Sequence, residues 1–112
     1  MTRPRVYISG PITQGNQREN VRRASEVFKE LVALGFAPWC PHWSWYAVQY
    51  DDVQLSHEDW LKKVDFPWLR QAEVVLRMPG ESLGADLECE FAAEKYIRVC
   101  YSIEELRKWC QL

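Results

Sequence analysis

The chain has 112 residues and a net charge of −2 at pH 7, with 47% hydrophobic and 13% aromatic residues. This length suits a single domain over residues 1–112, and the lack of a basic excess argues against a nucleic-acid polymer as partner. No apolar run approaches the ~20 residues that cross a membrane, and the first ten residues lack the hydrophobic stretch of a signal peptide. We therefore expect a cytoplasmic protein with no membrane partner.

The spacing of the cysteines argues against a bound metal, and the lack of a complete glycine-rich motif argues against a bound cofactor. The cysteines show neither a C-x-x-C pair nor zinc-type spacing, so we expect reduced, partly buried thiols and no metal at Cys40, Cys89, Cys100 and Cys110. No complete dinucleotide-binding or P-loop motif occurs, and we expect no cofactor.

The first predicted unit is a strand, a loop and a long helix. Residues 5–9 are β-branched and aromatic, and the loop at residues 10–16 begins with Gly-Pro. Gly35 is placed to end the helix, whose apolar face comprises Val21, Ala24, Val27, Phe28, Leu31 and Val32. The loop offers backbone N–H groups and hydroxyls to an anion, with Arg18 and Arg22 nearby, although most such loops only turn the chain.

An aromatic segment follows a short second strand. Residues 36–40 are a candidate strand that proline interrupts, which favours an edge position. The aromatic residues from Trp39 to Tyr50 either cover the core or a dimer interface, or form a wall on which a planar base stacks; we favour the structural role for most of them. His42 and His57 have no catalytic partner pattern, and we interpret both as hydrogen-bonded surface or core residues.

The next helix carries a carboxylate on its apolar face. Ser56 is the predicted N-cap, and the face comprises Trp60, Leu61, Val64, Trp68 and Leu69. Asp65 shares this face, and because an unpaired buried carboxylate is costly, it needs a partner or a function. Pro67 is expected to kink or restart the helix near Asp65. The alternative is that Asp65 simply caps the restarted helix.

A central strand then leads into a helix with an unusual glutamate. Residues 73–78 predict a buried strand, Pro79-Gly80 a turn, and Ser82 an N-cap. The helix has an apolar stripe, which comprises Leu83, Leu87 and Phe91. It also has a solvated acidic stripe, which comprises Asp86, Glu90 and Glu94. Glu88 belongs to neither stripe. It shares its side with residues too small to block an approaching ligand: Gly84, Ala85 and Ala92.

Strands and helices alternate to the end of the chain, with a strand at residues 96–100 and a last helix that Ser102 is predicted to cap. This order predicts an α/β fold with one parallel sheet of four to five strands and helices on both faces. Ligands of such sheets bind at the carboxyl ends of the strands. We therefore expect the site where this edge gathers Tyr7, Ser9, the loop after Gly10, the turn at residues 79–82 and Glu88.

Three segments in this order carry a family resemblance: YISGPI, DFPWLRQAEVVL and ESLGADLECEFA. Over roughly residues 5–100 the chain resembles the nucleoside 2′-deoxyribosyltransferase superfamily. The likeness is to its branch of 2′-deoxynucleoside 5′-monophosphate N-glycosidases and to small phage and bacterial relatives of unassigned activity. The resemblance implies a Rossmann-like (flavodoxin-like) sheet, a homodimer or higher oligomer whose neighbour completes the pocket, and retaining chemistry at the anomeric carbon.

The resemblance also implies roles for individual residues. By position, Glu88 matches the nucleophile, Asp65 the acid that assists the departing base or the sugar hydroxyl, and Tyr7 the residue that orients the nucleophile. The implied substrate-binding positions are Ser9, Gly10, Ile12, Thr13, Ser82 and Gly84. Among these, Ser82 and the loop after Gly10 match positions that hold the 5′-phosphate in the monophosphate-cleaving branch.

These acids suit cleavage of an N-glycosidic bond in a 2′-deoxynucleoside or its 5′-monophosphate. The sugar becomes oxocarbenium-like, so a carboxylate beneath C1′ stabilises it or bonds to it, while a second acid assists the base. Water as acceptor makes the enzyme a hydrolase, and a second base makes it a transferase. Three departures from the monophosphate-cleaving branch lie near the nucleophile, where Asp86 and Glu90 replace small glycines and Leu87 replaces an aromatic residue.

Two other interpretations stay open at this stage. A non-catalytic module of the same fold would bind a nucleotide or a nucleotide derivative through the loop from Tyr7 to Thr13 and Ser82, without needing Glu88. In a scaffold protein, Glu88 and Asp65 would be ordinary salt-bridge partners of arginine or lysine.

Overall fold

The computed structural model of the chain describes residues 3–50 and 55–111, with the backbone alone for residues 46–50. Within these residues the strands are β1 (Arg5–Ser9), β2 (Ala37–Trp39), β3 (Val74–Arg77) and β4 (Arg98–Cys100). The helices are α1 (Gln17–Ala33), α2 (Pro41–Tyr50), α3 (His57–Trp60), α4 (Phe66–Leu69), α5 (Leu83–Glu94) and α6 (Ile103–Cys110), and a π-helical turn (Leu61–Asp65) joins α3 to α4.

The strands form a parallel sheet in the order β2-β1-β3-β4. The two central strands pair in a register that places Val6 beside Val74 and Tyr7 beside Val75. The chain leaves β1 for β2 on one side and later returns to β3 on the other, so the crevice at the carboxyl ends of β1 and β3 is a topological switch point. The predicted α/β, Rossmann-like fold is confirmed, with four strands.

Helices cover both faces of the sheet, as predicted. On one face, α1 and α6 bury Leu31 and Leu106 against Val6 and Leu76. On the other face, α4 and α5 bury apolar side chains against Tyr7 and Val75. Because side chains alternate across a strand, Tyr7 and Ser9 both lie on the face that α5 covers.

The ends of the elements follow their local chemistry. Asn16 caps α1 by accepting a hydrogen bond from the Glu19 N–H at 3.0 Å, and Gly35 ends the helix with a φ of 98°, as predicted. The predicted apolar face of α1 is wrong at one position, since Val32 is 40% exposed. The candidate strand at residues 36–40 shortens to β2, which lies at the edge of the sheet as expected.

The strand predicted at residues 96–100 begins only at Arg98. Its first two residues instead complete the end of α5. Tyr96 has a φ of 60°, and its N–H donates to the Ala93 carbonyl at 3.1 Å, while the Ile97 N–H donates to the Ala92 carbonyl at 2.8 Å. These two bonds form a Schellman motif, in which a tyrosine occupies the position that usually holds glycine.

Residues 57–69 wind without a break but change pitch. Ser56 caps α3 as predicted, because its hydroxyl oxygen accepts from the Asp59 N–H at 3.1 Å. The Phe66 N–H reaches back five residues to the Leu61 carbonyl. This wider turn precedes Pro67, whose ring would clash with a carbonyl four residues earlier, so the predicted disturbance near Asp65 is confirmed. The alternative that Asp65 caps the restarted helix is wrong, because its side chain makes no capping hydrogen bond.

Most of the aromatic segment forms a helix, α2, which was not predicted. Pro41 occupies its first position, where the missing N–H costs nothing. Trp45 packs on Trp60, with ring centroids 5.1 Å apart, whereas Trp39 and Trp43 stay 44% and 45% exposed. The predicted role of the side chains from Tyr46 to Tyr50 lies outside the described residues.

Two simple observations complete the fold. The four cysteines are free thiols, of which Cys40 and Cys100 are buried. Across residues 3–50 and 55–111, no helix combines the length and the hydropathy needed to cross a bilayer.

Candidate active site

Glu88 lies on the buried face of α5, under the switch point of the sheet. Ser82 caps this helix as predicted, because its Oγ accepts from the Ala85 N–H at 3.0 Å. The most buried residues of α5 are Ala85, Glu88 and Ala92. The predicted apolar stripe is partly buried: Leu83 at its start is 70% exposed, whereas Leu87 and Phe91 pack against neighbouring core clusters. Because the packing face carries small side chains, the helix comes close to the sheet and brings the carboxylate against β1.

Two hydroxyl groups of β1 hold the Glu88 carboxylate. Ser9 donates to Oε1 at 2.8 Å, and Tyr7 donates a short hydrogen bond to Oε2. Both residues are at least 99% buried, and Glu88 is 4% exposed. Each carboxylate oxygen keeps a further lone pair, so the group is fixed in place without losing its capacity to react.

Asp65 lies beside this group from the side of the π-helical turn. It is 1% exposed, and among the described residues neither of its oxygens has a hydrogen-bond partner of good geometry. It is nevertheless close enough to Glu88 and Tyr7 to influence the ionisation of both. Within the described residues neither Asp65 nor Glu88 forms a salt bridge, so their interpretation as ordinary partners of arginine or lysine is wrong.

Burial and mutual repulsion determine how the two carboxyl groups share their charge. Burial raises the pKa of Asp65, and the negative charge of Glu88 raises it further. Burial also raises the pKa of Glu88, but the hydrogen bonds from Tyr7 and Ser9 oppose this by stabilising the ionised form. Between the two carboxyl groups, these effects favour the proton on Asp65 and the negative charge on Glu88.

Tyr7 remains protonated beside this charge. Burial raises the pKa of its phenol well above the ordinary value, and the charges of Glu88 and Asp65 act in the same direction. Tyr7 is therefore a permanent hydrogen-bond donor to Glu88.

A cleft of about 670 Å³ opens above Glu88. This volume is in the range of sites for small molecules. Five of its lining residues are large apolar side chains: Ile12, Trp60, Leu61, Leu83 and Leu87. The polar lining includes Glu88, which β1 holds in place, and Ser82, which caps α5.

The structure divides the predicted site residues into two groups. One group lines the cleft: Gly10, Ile12, Thr13, Ser82, Gly84 and Glu88. The other group does not line it, and comprises Tyr7, Ser9 and Asp65. Tyr7 and Ser9 contact Glu88 from the sheet, and Asp65 lies alongside, so these three act on the cleft through the carboxylate.

Buried polar side chains shape the loop between β1 and α1. The Asn20 amide donates to the carbonyls of Ile12 and Gln14 at 3.1 and 2.7 Å. His42 donates from Nε2 to the Pro11 carbonyl at 3.1 Å, which confirms its structural interpretation. Gln14 in turn accepts from the Leu83 N–H at 2.8 Å, so the loop is joined to the start of α5. The cleft edge is thus built before any ligand arrives.

Sequence reasoning missed several residues of the cleft, some of which have polar side chains. Gln14, His57 and Lys62 all line it. Lys62 is paired with Glu58 at 2.7 Å, and partial burial lowers the pKa of His57. The arginines expected near the loop are not among the lining residues, and Arg22 pairs with Glu19 instead. No local pattern marks His57, because two of its neighbours in space, Trp45 and Gly84, come from other helices.

The described residues contain no group of side chains that could bind a metal ion. No three histidine, cysteine, aspartate or glutamate side chains within them converge as ligands of an ion.

Comparison with known proteins supplies a family. Residues 4–102 match the model of a family described as a domain of unknown function, DUF7768. The chain belongs to this family. No curated protein matches the sequence. The match begins just before β1 and ends after β4, so the DUF7768 domain contains the sheet, the cleft and the residues around Glu88.

Proposed function

We propose that this DUF7768 protein cleaves the N-glycosidic bond of a 2′-deoxynucleoside or its 5′-monophosphate, or exchanges its base. The observation that carries the proposal is the buried Glu88 carboxylate, which is hydrogen-bonded by Tyr7 and Ser9, interacts with Asp65 and lines the cleft. The resemblance of the segments around Tyr7, Asp65 and Glu88 to the nucleoside 2′-deoxyribosyltransferase superfamily supports the same reaction. On this proposal the protein is a hydrolase or a transferase, and its partner is a small nucleoside or nucleotide.

Glu88 acts as the nucleophile. Its oxygen forms a bond to C1′ as the bond from C1′ to the base nitrogen breaks, and the electron pair of that bond leaves with the base. Water in the open cleft supplies the proton that the base takes up. A water molecule then attacks C1′, its proton returns to the solvent, and the released carboxylate is restored; a second base in place of water gives exchange.

The neighbours of Glu88 oppose the effect of burial, which raises the pKa of this carboxyl group. Hydrogen bonds from Tyr7 and Ser9, together with the neighbouring Asp65, favour its ionised form. With Glu88 as the nucleophile, two successive displacements at C1′ give retention through a covalent intermediate. Because Asp65 does not line the cleft, we assign it the role of influencing the charge of Glu88. It does not contact the base in this proposal.

The cleft suits the remaining parts of the substrate. Its apolar wall, which includes Ile12, Trp60 and Leu87, can cover a planar base and the face of a deoxyribose. The start of α5 provides polar groups at the other side. A homodimer or higher oligomer that completes the pocket is part of the proposal, since the cleft of one chain is open to solvent.

The test is chromatography of the protein incubated with a panel of deoxynucleosides and their 5′-monophosphates, with and without a second free base. We expect release of free base that Glu88→Gln abolishes, together with a deoxyribosyl adduct on the peptide that contains Glu88 after acid quenching. Glu90→Gln is the matched control, because it removes the same charge from the exposed face of the same helix. Release that persists in Glu88→Gln would overturn the mechanism. Saturable binding without release would favour the binding module.

A further inference from the structure

An arginine lies outside the cleft, at the end of β3. Arg77 is the last residue of this strand and pairs in register with Ser9, whose hydroxyl donates to Glu88. Because side chains alternate along a strand, Arg77 lies on the same face as Val75, which α5 covers. Its side chain is 11% exposed and does not line the cleft. A ligand above Glu88 therefore does not meet this cation.

Three oxygen atoms fix the guanidinium of Arg77. Nη1 donates to the Met78 carbonyl, and Nη2 donates to the Gly80 carbonyl at 3.0 Å and to Asp86 Oδ1 at 3.1 Å. Since Asp86 belongs to α5, the arginine joins the end of β3 to the helix that carries Glu88. The guanidinium group stays protonated at every pH at which the protein is folded. These bonds therefore hold a permanent positive charge in one place.

The turn that binds the guanidinium is packed tightly against the loop after β1. The Met78 N–H donates to the Ser9 carbonyl at 2.7 Å. Gly80 has a φ of 115°, and a Cβ at this position would lie 2.8 Å from Pro11 Cγ. The two carbonyls that accept from Arg77 thus belong to a closely packed backbone. The position of the charge is determined by this backbone rather than by a mobile surface side chain.

The ionisable groups that surround Glu88 from the sheet and its own helix supply no positive charge. Burial raises the pKa of Tyr7 and of Asp65, so both groups favour their neutral forms. Burial also raises the pKa of the Cys89 thiol, which follows Glu88 on α5. A carboxylate that is 4% exposed loses most of its stabilisation by water. Its negative charge therefore depends on hydrogen bonds and on a nearby cation.

The cations on the other side of the cleft are weak candidates for this role. Lys62 is paired with Glu58 at 2.7 Å, and partial burial lowers the pKa of His57. Arg77 is different, because its charge does act on Glu88. Burial raises the pKa of Glu88 to about 7, and the positive charge of Arg77 is one of the effects that oppose this rise.

Arg77 also offsets an acid that the resembled branch lacks. Asp86, which stands in place of a small glycine, adds a negative charge to α5 two residues before Glu88. Its carboxylate is 66% exposed and forms an ion pair with Arg77. Without the arginine, this charge would oppose the ionisation of Glu88.

We propose that Arg77 is a positioning residue for the proposed reaction, whose fixed positive charge outside the cleft stabilises the negative charge of Glu88. The inference rests on the proposed function only for the role of Glu88 as the nucleophile. It adds a residue that acts on the reaction without touching the substrate.

The experiment is a titration of the Glu88 side-chain carboxyl group by ¹³C NMR, with Glu88→Gln used to assign its signal. We expect Arg77→Met to raise the midpoint of this titration by about half a pH unit, because it removes the cation. The acid limb of kcat/KM moves with it. Arg77→Lys keeps a positive charge at this position and restores the midpoint. An unchanged midpoint in Arg77→Met, or an equal rise in both variants, overturns the inference.

Asp86→Asn is the matched control. It breaks the same ion pair between β3 and α5 but keeps the cation, so Glu88 is expected to titrate at the wild-type pH or below it. A rise as large as that in Arg77→Met would show that the contact rather than the charge acts on Glu88, and the inference would be wrong. If Arg77→Met does not fold, Arg77→Gln replaces it, since its amide can still donate to a carbonyl of the turn.

The titration needs no substrate, so it separates this inference from the proposed function. If the wild type releases no base but Arg77→Met raises the midpoint, the proposed function fails and the effect of Arg77 on Glu88 stands. If base is released and the midpoint does not move, the proposed function stands and the inference fails.

Discussion

Tyr7 donates its phenolic hydrogen bond to Glu88 from beneath the cleft, across the contact between β1 and α5. The tyrosine is 1% exposed and does not line the cleft, so a ligand above Glu88 never meets it. Its effect on the cleft is electrostatic and passes through the carboxylate. The ionisation of Glu88 is therefore influenced by residues that lie beneath the surface of the pocket.

The first prediction concerns Tyr7→Phe. The variant removes the strongest hydrogen bond that opposes the burial of ionised Glu88, so the pKa of Glu88 rises further above its ordinary value. Because the proposed mechanism has the ionised form attack C1′, the acid limb of the plot of kcat/KM against pH moves to higher pH by about one unit, which lowers the rate at pH 7 about fivefold. A pH profile between about 5.5 and 9 measures this shift.

Ser9→Ala provides a comparison, since it removes the other donor to the same carboxylate. We expect a shift in the same direction. An acid limb that stays in place in both variants would mean that the ionisation of Glu88 does not limit the reaction.

The second prediction concerns Asp65→Asn and the dependence of stability on pH. The pKa of Asp65 is raised by burial from 3.8 to about 9 in the folded protein, so the folded state holds a proton that the unfolded state releases. The resulting stabilisation is complete below the unfolded pKa and is lost as the pH rises toward the folded pKa. Asparagine cannot ionise. The variant therefore becomes more stable relative to the wild type as the pH rises from about 4 to about 9, by at most ~1.4 kcal/mol per pH unit.

Urea denaturation at pH 5, 7 and 9 gives the required free energies of unfolding. Asp59→Asn serves as a control, because Asp59 is not buried beside another carboxyl group. A difference between Asp65→Asn and the wild type that stays constant with pH would show that Asp65 is ionised in the folded state.

The third prediction concerns the end of α5. Tyr96 is 98% exposed and holds a φ of 60°, a conformation that is strained for any residue with a Cβ. Tyr96→Gly relieves this strain, while the added flexibility of the unfolded chain offsets part of the gain. We expect the free energy of unfolding to increase by about 0.5–1 kcal/mol, measured by urea denaturation.

Tyr96→Ala keeps the Cβ and should give no comparable gain, so the pair of variants isolates the backbone strain. If alanine stabilises the protein as much as glycine does, the tyrosine side chain rather than the backbone is unfavourable.

Elements that depend on their own residues could be predicted from the sequence. Ser56, Ser82 and Ser102 were recognised as caps from the residues beside them, and all three accept the expected backbone hydrogen bond. The helix α2 was not predicted, because aromatic residues around its whole circumference give no helical periodicity. The start of β4 was misplaced because the end of α5 uses Tyr96 in a conformation that a tyrosine seldom adopts.

The site divides in a similar way. Glu88 stood out because it interrupts the pattern of its helix, and Asp65 because it lies on an apolar face. The sequence could not indicate that Asp65 lies beside the cleft instead of in its wall, since that depends on the pitch of the turn before it. His57 was overlooked because Trp45 and Gly84, which define its position, belong to other helices.

The π-helical turn also determines how many residues the chain needs between Trp60 and Asp65. An α-helix turns about 100° per residue, so a deletion that restored regular winding would rotate all later side chains by that amount. If Trp60 kept its place in the cleft wall, Asp65 would no longer lie beside Glu88. Leu69 would no longer pack against the sheet. Insertions and deletions between Trp60 and Asp65 are therefore incompatible with the carboxyl pair, and a relative that retains the pair is expected to retain this spacing as well.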